Sequence, residues 1–286
     1  MSQEAAPAAA ATAPPPHVLL VCFPSQGHVN PTLRFAKRLA AKGLLVTCCT
    51  TSGAGAQIAA AAASSPGVLS SGRDGDGVPV GLGRVRFEFL DDRGNEKDDL
   101  MRYFATSASA AFAELLGRQA AAGRPVACVV GNPFLPWVVD AAASAGVPSS
   151  AVLWVQSCAV FSIYYHYARG LVELPPEDDP EARVALPGFP PLSTAECTDA
   201  KFLVEELGMG VRLRAPLRRE AVREALDAAV AGPEADAMRA SARSWSAVAR
   251  AAVAAGGSSD QNVQVFVDEV MRRASGRQAA DVTSSG

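Results

Sequence analysis

The chain has 286 residues, 49% of them hydrophobic and 19% charged, with a formal net charge of −3. That length allows one large domain or two modest ones, and the composition is that of a globular core. No uninterrupted apolar run reaches the ~18 residues that span a membrane, and without clustered Lys and Arg the charge speaks against a nucleic-acid partner.

Residues 1–16 are Ala- and Pro-rich and contain no Lys or Arg. They match neither a signal peptide nor a transit peptide and are predicted to form a disordered tail. Val18 to Phe23 is then a continuous apolar run, suited to a strand buried on both faces of a parallel sheet, and Pro24 closes it. A polar turn follows, with Ser25, Gln26, Gly27 and His28. Leu33, Phe35, Ala36, Leu39 and Ala40 come next at mostly helical spacing, with Asn30 and Pro31 as the predicted helix start and Gly43 as its cap. In an open α/β sheet ligands gather beyond the carboxyl ends of the strands, which is where His28 stands. Position alone leaves two readings for it, a general base titrating near neutrality or a histidine that satisfies turn backbone groups.

Four more strands are predicted, at Leu44–Thr50, Val85–Leu90, Val126–Val130 and Ser150–Val155, each separated by room for a helix or a long loop. The alternation predicts a doubly wound parallel sheet. Residues 64–83 are rich in Gly, Ser and Asp and read as a surface loop. The acidic stretch Glu88–Asp99 reads as a solvated face, and the Gly53–Gly55 GAG lacks the third glycine of a dinucleotide fingerprint. No cofactor is predicted. Asn132, at the end of the fourth strand, is either a strand-end turn residue or a partner for His28. Trp154 is either core or a stacking platform for an aromatic ligand, beside Gln156 and Ser157 as hydrogen-bonding candidates. Phe161, Tyr164, Tyr165 and Tyr167 lie on a predicted helix. Further helices are predicted at Thr198–Leu207, Arg218–Ala231, Glu234–Ala255 and Asp260–Arg273.

The six cysteines, Cys22, Cys48, Cys49, Cys128, Cys158 and Cys197, show no CxxC spacing. Most sit in apolar strand-like runs and read as buried thiols of a reducing cytoplasm. His17, His28 and His166 are the remaining soft ligands, and no metal site is predicted from their spacing.

The run FPSQGHVNPTLRFAKRLAAKG resembles the opening of the plant UDP-sugar-dependent glycosyltransferases of family 1, whose GT-B fold sets two Rossmann-like domains face to face. GNPFLPWVVDAAASAGVPSSAVLWVQSCAVFSIYYHY resembles the later half of their acceptor domain, especially in the branch that makes glucose esters of aromatic carboxylic acids such as hydroxycinnamates. TDAKFLVEELGMGVRL and GGSSDQNVQVFVDEV resemble their C-terminal helices. The resemblance implies that His28 is the catalytic histidine, with Gln26, Gly27, Trp154, Gln156 and Ser157 as acceptor-binding candidates and UDP-glucose as co-substrate. It also implies the division of the chain. Residues 1–16 and 275–286 would be tails, 17–195 a Rossmann-like acceptor domain incomplete at its end, and 196–274 a helical remnant of the donor domain.

One family feature is missing. The donor-binding box, with its tryptophan, its HCGWNS-like loop and its closing Asp-Gln, belongs just before TDAKF. Here PGFPPLSTAEC precedes TDAKF directly, and Glu196-Cys197 stands where Asp-Gln is expected. A two-Rossmann enzyme needs roughly 200 residues per half, so the chain is short by about one domain. UDP-glucose binding and turnover are therefore expected to be impaired, which leaves two further readings: a non-catalytic protein that binds small molecules or dimerises, and a nonfunctional truncated product. Helices without their donor sheet would expose Phe202, Leu203, Leu207, Val222, Leu226 and Trp245, and so favour self-association.

In much of the family an aspartate at the place of Asn132 holds the catalytic histidine. A neutral amide orients an imidazole but does not offset its positive charge, so His28 should be the weaker base. A phenol with a pKa near ~10 needs a base, whereas a carboxylic acid near ~4 is already ionised at pH 7. Asn132 thus fits a carboxylate acceptor.

Overall fold

The computed structural model describes residues 14–56, 77–92, 100–173, 183–187, 192–193, 204, 207–213 and 218–284. They form two compact units, one from Met1–Val155 with Asn262–Gly286 and the other from Gln156–Gln261. The boundary drawn from the sequence at 195/196 thus differs from the division by contact, because the chain leaves the sheet after its last strand near Val155.

The first unit is built on a six-stranded sheet. Its strands are β1 (His17–Val21), β2 (Leu45–Thr51), β3 (Val78–Val80), β4 (Gly83–Leu90), β5 (Val126–Gly131) and β6 (Ser150–Val152), in the order β3-β4-β2-β1-β5-β6. All neighbours pair in parallel except β3, which pairs antiparallel with β4. The sequence reading placed β3 inside a loop. Only three residues long and edge-placed, it carries no apolar period, and its turn is made by Gly81 in the left-handed region at φ 57. The other five strands fall at the predicted positions, except that the last ends at Val152, three residues short of the predicted Val155.

Strand alternation divides the core in two. Leu19 and Val21 point to one face of the sheet, where they meet Phe112, Leu115, Val129, Leu135 and Val138. Val18 and Leu20 point to the other, where they meet Ala36, Leu39, Val46, Val85, Val267 and Val270. The helix α1 (Gln26–Ala41) covers the second face, joined by α8 (Ser258–Ser284), and Phe35 of α1 lies against Phe266 of α8 at 5.9 Å between centroids. The first face is covered by α2 (Leu100–Thr106), α3 (Ala108–Ala121) and α4 (Trp137–Ser144). Gly43, just past the end of α1, has a φ of 98 that lets the chain turn back into β2.

Two differences concern helix ends. α1 begins at Gln26, earlier than Asn30-Pro31, so Pro31 lies inside it. Because a proline has no N–H, it removes one bond to the carbonyl four residues back, at the exposed Gly27. The helix thereby includes His28 in its first turn. α8 continues through residues 275–284, which the sequence reading takes as a tail; Ala, Gln and Arg there are good helix formers.

The second unit contains α5 (Cys158–Ala168), a small antiparallel pair of β7 (Arg183–Val184) and β8 (Leu192–Ser193), then α6 (Arg219–Ala231) and α7 (Ala235–Val253). α6 has no buried residue. Leu226, Val230, Trp245, Val248 and Val253 are exposed, whereas Leu207 and Val222, also expected to be exposed, are half-buried. The predicted helix at Thr198–Leu207 lies mostly outside the described residues, as do Phe202 and Leu203. The aromatic residues of α5, Phe161, Tyr164, Tyr165 and Tyr167, are exposed.

Cys22, Cys48, Cys49 and Cys128 are buried free thiols, Cys158 is exposed, and Cys197 lies outside the described residues. Burial pushes the Cys22 thiol up to about 11 and the other three buried thiols upward as well. A thiol reagent on the folded chain is therefore expected to modify Cys158 and spare these four. Fast labelling of any of the four, mapped by mass spectrometry, would contradict this packing.

Candidate active site

The sheet grows outward from β1 in both directions, first to β2 and β4 and then, across β1, to β5 and β6. The strand order reverses between β1 and β5, and a crevice opens at the carboxyl ends of two such strands because their crossovers run to opposite faces. His28 enters from the β1 side and Asn132 from the β5 side. The structure brings them together: Asn132 Nδ2 lies 2.9 Å from His28 Nδ1.

Each partner is held by its own element. His28 sits in the first turn of α1, where its N–H and that of Val29 both donate to the Ser25 carbonyl, at 3.0 and 2.8 Å. Its own carbonyl accepts from the Thr32 hydroxyl at 2.8 Å. Asn132 is 3% exposed and lies in the turn from β5 to α4. Its Oδ1 accepts the Phe134 N–H at 3.0 Å, and its carbonyl accepts the Leu135 N–H at 2.8 Å. Leu135 and Val138, buried just beyond, anchor this turn in the core.

Two rings complete the site. Phe23 meets the His28 imidazole edge-on, 5.4 Å between centroids, and Phe134 does so from 4.9 Å. Phe104 packs behind Phe23 at 5.8 Å. Phe134 is 47% exposed and so offers an aromatic surface next to the imidazole. Burial among these groups lowers the pKa of His28 from its ordinary value. Sequence reasoning missed Phe23 and Phe134. Both are visible as the last residue of an apolar run and the third of NPF, but only the sheet order puts them side by side.

The remaining candidates are distributed differently. Gln26 and Gly27 are exposed in the same turn as His28. Trp154 is half-buried after β6, at the carboxyl end of the strand next to β5. Gln156 and Ser157 fall in the second unit, where Ser157 Oγ caps α5 by accepting from the Val160 N–H at 3.3 Å.

Two acids of the stretch predicted to be a solvated face, Glu88 in β4 and Asp92 just after it, are committed to hydrogen bonds. Glu88 accepts from Gln119 Nε2 at 2.8 Å, and Asp92 accepts from the Ser52 hydroxyl at 2.6 Å and the Gly53 N–H at 3.0 Å. Burial pushes Asp92 up, but the bonds from Ser52, Thr51 and Gly53 outweigh it and hold the carboxyl below its ordinary value. Residues 93–99 lie outside the described residues. A cavity of about 650 Å³ lies at the opposite, amino end of the sheet, lined by Pro14–Pro16, His17, Arg84, Arg86 and Arg124, remote from His28. Among the described residues no group of three or more His, Cys, Asp or Glu could hold a metal ion, and no helix is long and apolar enough to cross a membrane.

No family model matches the chain. Gallate 1-beta-glucosyltransferase of Quercus robur is 46% identical over 187 residues, which are 63% of this chain and 35% of that protein. Cinnamate beta-D-glucosyltransferase of Fragaria ananassa is 45% identical over 187 residues, 63% of this chain and 32% of that protein. UDP-glycosyltransferase 84A1 of Arabidopsis thaliana is 45% identical over 189 residues, 64% and 37% respectively. The chain spans about a third of the length of the curated relatives it matches. A solved structure of Os79 from O. sativa superposes with a TM-score of 0.64 at 19% identity, over 88% of this chain and 100% of that one, which shows a shared fold. The matched part of the chain is homologous to the plant UDP-glycosyltransferases of family 1 and has the Rossmann-like α/β architecture of their GT-B fold.

Proposed function

We propose that this chain carries the acceptor half of a UDP-sugar-dependent glycosyltransferase and that it holds an aromatic carboxylic acid at His28 and Asn132, against Phe23 and Phe134. The observation that carries the reading is the His28–Asn132 contact at the reversal point of the sheet. An exposed phenyl ring beside a polar pair suits a flat aromatic acid, and the similarity to gallate and cinnamate glucosyltransferases supports the same substrate class. In the complete reaction the acceptor carboxylate forms a bond to the anomeric carbon of glucose from the face opposite UDP, and the bonding pair leaves with UDP. His28 and Asn132 orient the carboxylate for that attack.

The sequence contains no HCGWNS-like run, and no Trp lies between Trp154 and Trp245. The chain alone is therefore proposed to bind acceptor but not UDP-glucose, with no turnover of its own. The exposed apolar faces of α6 and α7 favour a second reading, a non-catalytic protein that self-associates through them. The buried free thiols support a reducing compartment, the cytoplasm.

Calorimetric titration of the purified chain tests this. Cinnamate is expected to bind saturably and His28→Ala to weaken it, while UDP-glucose gives no signal. Saturable UDP-glucose binding would revive a complete enzyme, and absence of both would leave a nonfunctional fragment.

A further inference from the structure

The orientation of the Asn132 amide decides which nitrogen of His28 faces the ligand. A backbone N–H can only donate, so the Phe134 N–H at 3.0 Å identifies the atom it meets as the Asn132 oxygen. The amide nitrogen is then the atom 2.9 Å from His28 Nδ1. That NH2 group is a donor without acceptor capacity, so Nδ1 must supply the lone pair. A neutral imidazole has one N–H, and with Nδ1 accepting, the proton resides on Nε2.

We propose that His28 works as a fixed hydrogen-bond donor through Nε2–H, holding an acceptor group that arrives already anionic, and that Asn132 is the positioning residue that enforces this tautomer. The inference rests on the reading of the crevice as an acceptor site.

Three features of the surroundings act in the same direction. Protonating Nδ1 would set its N–H against the Asn132 NH2, two donors face to face. Phe23 and Phe134 take water away from the ring, which disfavours its charged form. The ring also sits in the first turn of α1, at the positive end of the helix dipole. A carboxylate suits this site because it is ionised at neutral pH and accepts from Nε2–H without any proton moving. A phenol would have to deliver its proton to Nε2, which has no lone pair to receive it. An aspartate at 132 would reverse this, because a carboxylate accepts from Nδ1–H and so frees the Nε2 lone pair for base work. Exchanging an amide for a carboxylate at one position thus selects the class of acceptor.

Nitrogen-15 NMR of the full chain reads the tautomer directly, and the other two histidines are internal references. His17 Nδ1 lies 2.8 Å from the Arg124 carbonyl and His166 Nδ1 lies 2.7 Å from the Ser162 carbonyl, so both should be Nδ1–H. His28, assigned by its disappearance in His28→Gln, is expected at neutral pH to show a pyridine-type Nδ1 and a pyrrole-type Nε2. In Asn132→Asp the pattern should invert and the His28 pKa rise by about 1–3 units. Added cinnamate is expected to shift the Nε2 proton, and an uncharged phenol to leave it in place.

An Nδ1–H or doubly protonated His28 in the unsubstituted chain would overturn the inference even if cinnamate binds. An Nε2–H tautomer in a chain that ignores cinnamate would overturn the acceptor reading and the carboxylate role with it.

Discussion

Phe112→Ala is expected to cost about 3–5 kcal/mol of stability, the range for emptying a large aromatic site in a packed core. Phe112 is fully buried on α3, among the largest side chains with no exposure, and its ring meets Trp137 of α4 edge-on at 5.8 Å. The same cluster holds Leu135 and Val138, which fix the turn carrying Asn132. Domains of this kind are stable by only about 5–15 kcal/mol, so the loss takes a large part of the total. Denaturant unfolding should show a lower midpoint with an unchanged slope. The substitution should also weaken cinnamate binding, although Phe112 does not contact the imidazole, because the Asn132 turn loses its anchor. A loss under about 1 kcal/mol would show that α3 does not pack on the sheet as described.

Acidification is expected to destabilise the chain between pH 6.5 and about 4, with His17 as the main cause. Burial lowers its pKa from 6.5 to about 4; the bond to the Arg124 carbonyl opposes this, and the Arg86 and Arg124 cations add to it. Its ring is bonded on both sides: Nδ1–H donates to that carbonyl, and Nε2 accepts from the Thr47 hydroxyl at 2.8 Å. As pH falls through 6.5 the unfolded chain takes up a proton at this position, and the folded chain does not until about 4. The unfolded state therefore binds more protons throughout that window, and stability rises with pH across it. The difference amounts to about 3 kcal/mol, complete below the window and absent above it. His28 contributes in the same direction, its pKa also being lowered by burial. Comparison with His17→Gln isolates the larger effect: the variant is less stable at pH 7 but should lose much of the slope between 6.5 and 4. Parallel stability profiles for the two chains would exclude His17 as the origin.

His17 also illustrates what a one-dimensional reading misses. In sequence it precedes an apolar run and counts only as a possible ligand; in the structure it is a core residue bonded across β1, β2 and the turn before β5. Its pairing with Thr47 and with the Arg124 carbonyl depends on strand register, which no local pattern carries. The same holds for Gln119, which looks like a surface residue of α3 and is buried between Glu88 and Arg124.

Much of the fold was legible. Strands buried on both faces are mostly apolar, so β1 and β5 stood out as nearly continuous runs, and the spacing between the strands left room for the helices that a parallel sheet requires. β3 was illegible because an edge strand of three residues needs no apolar face. The helices at the C-terminal end were legible from their Gly punctuation, and among the described residues the structure shows Leu226 and Trp245 exposed on them.

Of the site, the sequence by itself determined the chemistry available: an imidazole in a turn after the first strand and a neutral amide, not a carboxylate, after the fifth. The tertiary structure decided how they act. The strand order puts the ends of β1 and β5 side by side, so that residues far apart in the chain come within 2.9 Å. The turn after β5 then aims the Phe134 N–H at one atom of the amide, and that single bond sets which nitrogen meets His28. Residue identity is carried by local code, but the direction of a hydrogen bond depends on where the backbone is held, and only packing of the whole sheet settles that.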